Sequence, residues 1–288
     1  MNTMMAPNAQ KSKPSRTGTL SLAALALLIT VSLVACGGGP DTGTISDLQD
    51  GTYFGTSEFT DANGWAPFLQ IRVEGGRIAD AVFDYANPAG ALKSQDASYN
   101  QRMKAASGSS PEEFSPALAN ALAETQRLPV DTVTGATSSS RWFNQLAEAV
   151  VERARAGDRR VTLLPMSATY RAEDEADERG WIGTITVTYE RQTITDVRYD
   201  EVQREGNTVT DRKSENEGYI AAWKAANGVD LDEVLHRLSE QLMAEGRPAG
   251  VDLISGATSM SRRFRVLAQQ AIDRRVPVDF QAIQQSIR

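Results

Sequence analysis

Seven residues of this chain occur twice. Asp131-Thr132-Val133-Thr134-Gly135-Ala136-Thr137 returns as Asp252-Leu253-Ile254-Ser255-Gly256-Ala257-Thr258, a shared Asp-x-x-Ser/Thr-Gly-Ala-Thr. Each copy runs into serines (Ser138, Ser139 and Ser140; Ser259 and Ser261) and then into a stretch with helical apolar spacing. The pattern reads as a loop that turns at a glycine and delivers a hydroxyl to the first turn of a helix. A helix N-terminus offers unpaired N–H groups and positive partial charge, which favour a phosphate. Glycine at that point lets the backbone approach an anion closely. The residues therefore point to a phosphate beside Thr137 and another beside Thr258. A helix cap made of Ser and Thr is the plainer reading of the same residues.

The duplication extends beyond the motif. Gly64-Trp65 recurs as Gly180-Trp181, and Asp84 as Asp200, 116 residues on. Lys93-Ser94, Tyr99, Lys104-Ala105-Ala106 and Gly108 recur 120 residues on as Lys213-Ser214, Tyr219, Lys224-Ala225-Ala226 and Gly228. The two motif threonines are 121 residues apart, so the offset grows only where loops can absorb insertions. An internal repeat sets the domain count. We read two homologous domains, 45–160 and 161–288, joined near Gly157-Asp158.

Each repeat opens as a β-meander. Strands are predicted over 52–59 and 66–73, with a hairpin turn at Gly75-Gly76 and a return strand carrying Ile78, Val82 and Phe83. The second copy has a strand over 181–189, a turn at 190–192, and Ile194, Val197 and Tyr199 on the return. Helices follow at about 96–106 and 111–126, and at about 216–226 and 230–245; Pro111 suits a first turn and Asp230 an N-cap. The last helix of each repeat follows Gly-Ala-Thr. Phe143, Leu146, Ala147, Val150 and Val151 form one apolar face; Phe264, Leu267, Ala268, Ala271 and Ile272 form the other. Strands followed by helices predict an α+β fold.

Composition excludes several classes. Cys36 is the only cysteine, so no disulfide and no thiolate metal site is expected. The only histidine, His236, stands among Asp232, Glu233, Arg237 and Glu240, as on a solvated helix face. A hydrolase built on a histidine base, or a haem or zinc site rich in histidine, is disfavoured. With 37 acidic residues against 30 basic ones, nucleic acid is not an expected partner.

Residues 1–36 read as a lipoprotein signal. Lys11, Lys13 and Arg16 precede an apolar run from Leu20 to Ala35 that is shorter than the roughly 20 residues of a spanning helix. Leu33-Val34-Ala35-Cys36 resembles a bacterial lipobox, which implies cleavage before Cys36 and its lipidation; an uncleaved N-terminal anchor is the alternative. Residues 37–44 read as a flexible tether. The expected location is outside the cytoplasmic membrane, held there by a lipid.

The repeated motif resembles the FMN-binding domain of membrane-associated redox proteins, in which a flavin transferase joins the FMN phosphate to the last Thr as a phosphoester. The resemblance covers both repeats through Gly-Trp, the Lys-Ser…Tyr…Lys-Ala-Ala helix and Pro111-Glu112-Glu113-Phe114. It is similar to tandem flavinylated lipoproteins of extracellular electron transfer. More distantly, it is similar to the flavin subunits of sodium-pumping quinone reductase and Rnf complexes. The second repeat departs at Leu231-Asp232-Glu233-Val234. The resemblance implies two covalent FMN groups, on Thr137 and Thr258, with Thr134, Gly135, Ala136 and Ser138, and Ser255, Gly256, Ala257 and Ser259, forming the attachment loops. Asp131 and Asp252 would serve recognition by the transferase or cap the loop.

For the flavin ring, Trp65 and Trp181 are candidates because aromatic faces sandwich it; filling a core is their alternative role. Lys93 and Lys213 are candidates for the phosphate or the N1–C2=O edge, with an exposed structural lysine as the alternative. Tyr99 and Tyr219 are expected to pack their helices. A covalent flavin would make the protein an electron carrier more than a self-contained enzyme. It would take electrons from a membrane quinol- or NADH-linked reductase and pass them to an extracytoplasmic acceptor. A flavin-dependent reductase of one small organic acceptor and a non-redox binding lipoprotein are the other readings.

Overall fold

The computed structural model describes residues 43–287. The signal segment, Cys36 and the tether up to residue 42 lie outside the described residues. Among the described residues, no helix is long and apolar enough to cross a membrane.

The architecture is α+β, with the same plan twice. In the first repeat, β2 (Gly51–Ser57), β3 (Ala66–Glu74) and β4 (Arg77–Ala86) form the meander. Then come α1 (Ala97–Ser107), α2 (Pro111–Thr125) and α3 (Thr137–Arg155). In the second, β7 (Ala168–Glu173), β8 (Ile182–Glu190) and β9 (Thr193–Glu205) precede α4 (Glu217–Asn227), α5 (Leu231–Glu245) and α6 (Thr258–Asp273). The helices cover one face of each sheet, and two separate apolar cores result. Equivalent rings meet edge-on in each: Phe83 with Phe143, centroids 5.0 Å apart, and Tyr199 with Phe264, 5.4 Å apart. Even the irregularities repeat, since the pairing register slips between Arg72 and Val73 in one sheet and between Thr188 and Tyr189 in the other.

The repeats differ at their edges. β9 runs on to Glu205 and turns at Gly206 into β10 (Thr208–Arg212), giving the order β10-β9-β8-β7. This added hairpin accounts for the growth of the offset after Asp200. The first sheet has the order β4-β3-β2-β6, because β6 (Thr162–Leu164) pairs parallel with β2, Gly55 facing Thr162. A short pair of β1 (Gly43–Thr44) with β5 (Arg127–Leu128) ties the start of the described chain to the first repeat. A terminal helix, α7 (Phe280–Ser286), returns to the first sheet and buries Ile283 against Phe54 and Phe68 on the face away from α1–α3. Residues after position 160 thus complete the first sheet at its edge and on its outer face.

The two repeats are pinned together. Residues 58–60 pair with 276–278 through Thr60 N–H to the Val276 carbonyl and Val278 N–H to the Glu58 carbonyl, both near 3 Å. The Arg275 guanidinium lies 3.5 Å from the Phe59 ring centroid and 4.3 Å from that of Tyr189. The Tyr170 hydroxyl donates to the Thr60 carbonyl at 2.6 Å. Burial pushes that hydroxyl up to about 12.

Candidate functional site

The two motif loops fold alike. Val133 and Ile254 accept from the N–H of Ala136 and Ala257, closing a turn. The glycine inside each turn is left-handed, Gly135 at φ 77° and Gly256 at φ 81°. Each lies flat on the last residue of the helix two elements back. A Cβ on Gly135 would stand 2.3 Å from the Ser107 carbonyl, and one on Gly256 2.6 Å from that of Asn227. No other residue type fits these positions without strain. A serine one turn into the helix then locks the loop. Ser140 Oγ accepts from Val133 N–H at 3.0 Å and donates to the Ala136 carbonyl; Ser261 does the same with Ile254 and Ala257. Ser140 and Ser261 are fully buried, which accounts for a second feature repeated in each copy: a hydroxyl three residues past the threonine.

These contacts place Thr137 and Thr258 at the first helical position of α3 and α6. The N-cap residue is alanine, and no side chain caps either helix. The alternative reading of the motif, a cap made of Ser and Thr, is therefore not what forms here, and the first-turn N–H groups are left to another acceptor. Thr137, Ser138 and Ser259 are exposed and Thr258 is half-buried. Thr134, Ser255, Asp131 and Asp252 also lie on the exposed side of the loops.

Each repeat holds a lysine in an aromatic box. Lys93 and Lys213 are buried, at 8% exposure each, so the exposed structural role does not hold for either. Lys93 Nζ lies 4.4 Å from the ring centroid of Tyr99, 4.8 Å from Tyr85 and 5.5 Å from Trp65. Lys213 Nζ lies 4.8 Å from Tyr219 and 5.1 Å from Trp181. Each Trp is held by an aspartate four residues earlier, which the sequence reading did not single out. Asp61 Oδ1 accepts from Trp65 N–H at 3.0 Å, and Asp177 Oδ1 from Trp181 N–H at 2.9 Å. Trp181 is buried against Tyr219 and Trp65 is half-buried. Tyr219 packs against the second core, and both tyrosines face the ammonium groups.

In the second repeat the motif and the lysine open onto one pocket. It has a volume of about 460 Å³, and Thr258, Gly256, Lys213, Trp223, Asn227 and Arg263 are among its lining residues. Trp223 Nε1 is buried there without a hydrogen-bond partner. A buried indole N–H normally finds an acceptor, and this one has none in the protein. Glu201 lies at the pocket's base. It accepts from Lys213 at 2.6 Å, Arg263 at 2.7 Å and the Tyr199 hydroxyl at 3.0 Å. Arg263 is also held by Asp174, whose hydrogen bond raises the guanidinium above its ordinary value. Burial, and then Glu201, push the Tyr199 hydroxyl far up.

At the first motif, Tyr85 takes the place of Glu201, Trp142 that of Arg263 and Met103 that of Trp223. The Tyr85 hydroxyl is driven up by burial, with Ser139 in the first turn of α3 pulling the other way. The ring of Tyr85 faces Lys93. Asp84, beneath it, is raised by burial although its carboxylate accepts from the N–H groups of Tyr85 and Ser94. His236 is exposed on α5 and meets only Glu240, at 3.1 Å. Among the described residues, no cluster of His, Cys, Asp and Glu could hold a metal ion.

Fold and site together define a duplicated α+β protein that presents, twice, a threonine at an uncapped helix start and a buried lysine held in aromatic rings, the two sharing one pocket in the second repeat. No protein-family model matches the chain. Over 139 residues, 48% of this chain, it is 40% identical to the "15 kDa lipoprotein" of Treponema pallidum (strain Nichols), and it covers 94% of that protein. The chain belongs to the family of that lipoprotein. Among solved structures it is similar to the CPE2226 protein from Clostridium perfringens, at 39% identity over 41% of this chain and 97% of the other, with a TM-score of 0.40. It is also similar to a Clostridium thermocellum protein solved by NMR, at 26% identity over 37% of this chain and 89% of the other, with a TM-score of 0.28.

Proposed function

We propose that the protein is a lipid-anchored extracytoplasmic electron carrier with two FMN groups, joined by phosphoester bonds to Thr137 and Thr258. One observation carries the reading. Both motif threonines stand at the first turn of a helix that no side chain caps, beside a left-handed glycine. That arrangement suits a phosphate: N–H groups and the helix dipole meet its charge, and the hydroxyl is exposed enough for a transferase to reach.

The residues present suit a flavin. The pocket at Thr258 is of ligand size and carries a free indole donor on Trp223 and the amide of Asn227. Gly256 clears the backbone at its mouth. Lys213, and Lys93 in the first repeat, supply a positive charge held in place by aromatic faces, while Trp181 and Trp65 build the wall behind it. A bound flavin would supply exchange of one or two electrons. The chain supplies the rest: it fixes the phosphate at the helix start, walls the ring from water, and sets the local charge.

The lipoprotein name of the Treponema relative supports anchoring through Cys36. A membrane reductase linked to quinol or NADH is the proposed donor, and an extracytoplasmic acceptor the proposed sink. The test is the mass and fluorescence of the denatured protein after co-expression with a flavin transferase. The wild type should carry two flavins, Thr137→Val and Thr258→Val one each, and the double variant none. Yellow fluorescence in the denatured double variant would place the flavin elsewhere. Cys36→Ser should release the protein from membranes; unchanged processing and membrane binding would refute the anchor.

A further inference from the structure

We infer that the free edge of β4 is a docking site, to which an extended segment of a partner protein bearing a basic side chain adds as a further strand. The inference stands apart from the cofactor reading and does not depend on it.

β4 is the outer strand of the first sheet. Both of its ends are already satisfied. Near the start, the Gln126 side chain takes the place of a neighbouring strand. Its amide accepts from the Ile78 N–H at 3.0 Å and donates to the Ile78 carbonyl at 2.8 Å. At the other end Ala86 pairs with Leu92, and the Asn87 N–H donates to the Ala91 carbonyl at 3.0 Å. Between these two closures, no strand of the described residues pairs with the outer edge of Ala81–Asp84. An unpaired edge is a template for another chain, and proline or lysine commonly blunts it. Positions 81–84 hold neither.

The same four residues line a groove of about 340 Å³ whose other wall is α2, with Glu112, Ser115 and Asn120. Ser115 is 2% exposed, and its hydroxyl is buried without a hydrogen-bond partner. Buried hydroxyls normally have one. Asp84 and Glu112 are the acids lining the groove, and no basic residue lines it. The occupant that complements this charge carries a cation. Burial raises the Asp84 carboxyl above its usual value, and a cation on the occupant offsets that cost. Strand addition supplies the affinity through main-chain hydrogen bonds and the specificity through alternate side chains. The second repeat has Leu235 and His236 where the first has Ser115 and Pro116, so the unpaired hydroxyl belongs to the first repeat alone. Asp84 and Ser94 line the groove, and their chain neighbours Tyr85 and Lys93 belong to the aromatic box. A docked segment therefore lies beside that box.

Four strand residues span roughly 13 Å, so a six-residue probe covers the open edge. The test uses the full-length chain and a peptide of alternating threonine and lysine, six residues long and blocked at both ends. Backbone amide NMR should show saturable shifts at residues 81–84 and at Ser115. The same peptide with every backbone amide N-methylated keeps its charge and loses the strand hydrogen bonds; it should bind many-fold more weakly. Glu112→Gln and Ser115→Ala should each weaken binding several-fold. Both variants should fold, since Glu112 is exposed and Ser115 gives up only an unpaired hydroxyl. No shift at 81–84, equal binding of the methylated peptide, or affinities indifferent to both variants would overturn the inference. Shifts at 81–84 that grow with protein concentration in the absence of peptide would make a second copy of the chain the occupant, and would overturn it as well.

Discussion

Lys213 and Glu201 form a buried ion pair, Nζ to Oε2 at 2.6 Å, where the first repeat sets Lys93 against the ring of Tyr85. Glu201 also accepts from Arg263 and Tyr199. Breaking such a pair by removing one partner leaves a buried charge and costs about 3 kcal/mol. Lys213→Met and Glu201→Gln should each destabilise by about that amount, and the double variant by less than their sum. A double-mutant cycle from urea unfolding measures this. Simple additivity would mean that the two side chains do not support each other.

Gly135 and Gly256 seat their loops on the ends of α1 and α4. At Gly135 an added methyl meets the Ser107 carbonyl, and the backbone angle alone costs a side chain about 1–2 kcal/mol. Gly135→Ala should therefore lower stability by about 2–3 kcal/mol, allowing for the clash. It should also reduce flavin attachment at Thr137 while leaving Thr258 loaded. Thermal unfolding and a flavin count on the denatured chain check both. Normal stability would show that the loop moves freely away from α1.

The pattern of what the sequence foretold follows from the range of each signal. Local signals were legible: Gly75-Gly76 turns between β3 and β4, and Phe143, Leu146, Ala147, Val150 and Val151 are all buried on α3. The α+β class followed from those elements. The motif was legible as a loop and helix start, because glycine and hydroxyl spacing act within one turn. Contacts over long separations left no local trace. The pairing of Thr162 with Gly55 and the docking of Ile283 on Phe54 and Phe68 depend on sheet edges and faces that no short pattern describes. Lys93 and Lys213 were read as possible exposed residues because lysine is seldom buried, and only the surrounding rings make it affordable. Asp61 and Asp177 were readable in principle, each standing four residues before a repeated tryptophan. Trp223 was not, since its repeat-one counterpart is Met103 and a repeat comparison passes over differences.

Arg275 is the hinge pin between the repeats. It stacks on Phe59 of one and Tyr189 of the other, and its Nη2 donates to the Arg191 carbonyl at 2.6 Å. Arg275→Ala removes two ring contacts worth about 1–2 kcal/mol together. The cores should then unfold less cooperatively, with the calorimetric transition broadened or split. A single sharp transition at the original temperature would show that strand pairing at 58–60 and 276–278 suffices alone.

Asp84 gives the protein a pH signature with a definite sign. Burial raises its pKa, and the N–H groups of Tyr85 and Ser94 only partly offset this. The folded state therefore binds the proton more tightly than the unfolded chain does. Between the ordinary aspartate range and the raised value, the folded protein holds more protons, so this group makes stability fall as pH rises through that window. Its contribution is fully present below the unfolded pKa and lost above the folded one. Asp84→Asn keeps an oxygen to accept from both N–H groups and removes the buried charge. At neutral pH the variant should be more stable than the wild type, and the difference should shrink as the pH is lowered through the window. Melting temperature against pH for the two proteins reads this directly. A constant difference across the range, or a variant less stable at neutral pH, would show that the carboxylate is stabilised in the fold as the charged form, with Lys93 as its counter-ion.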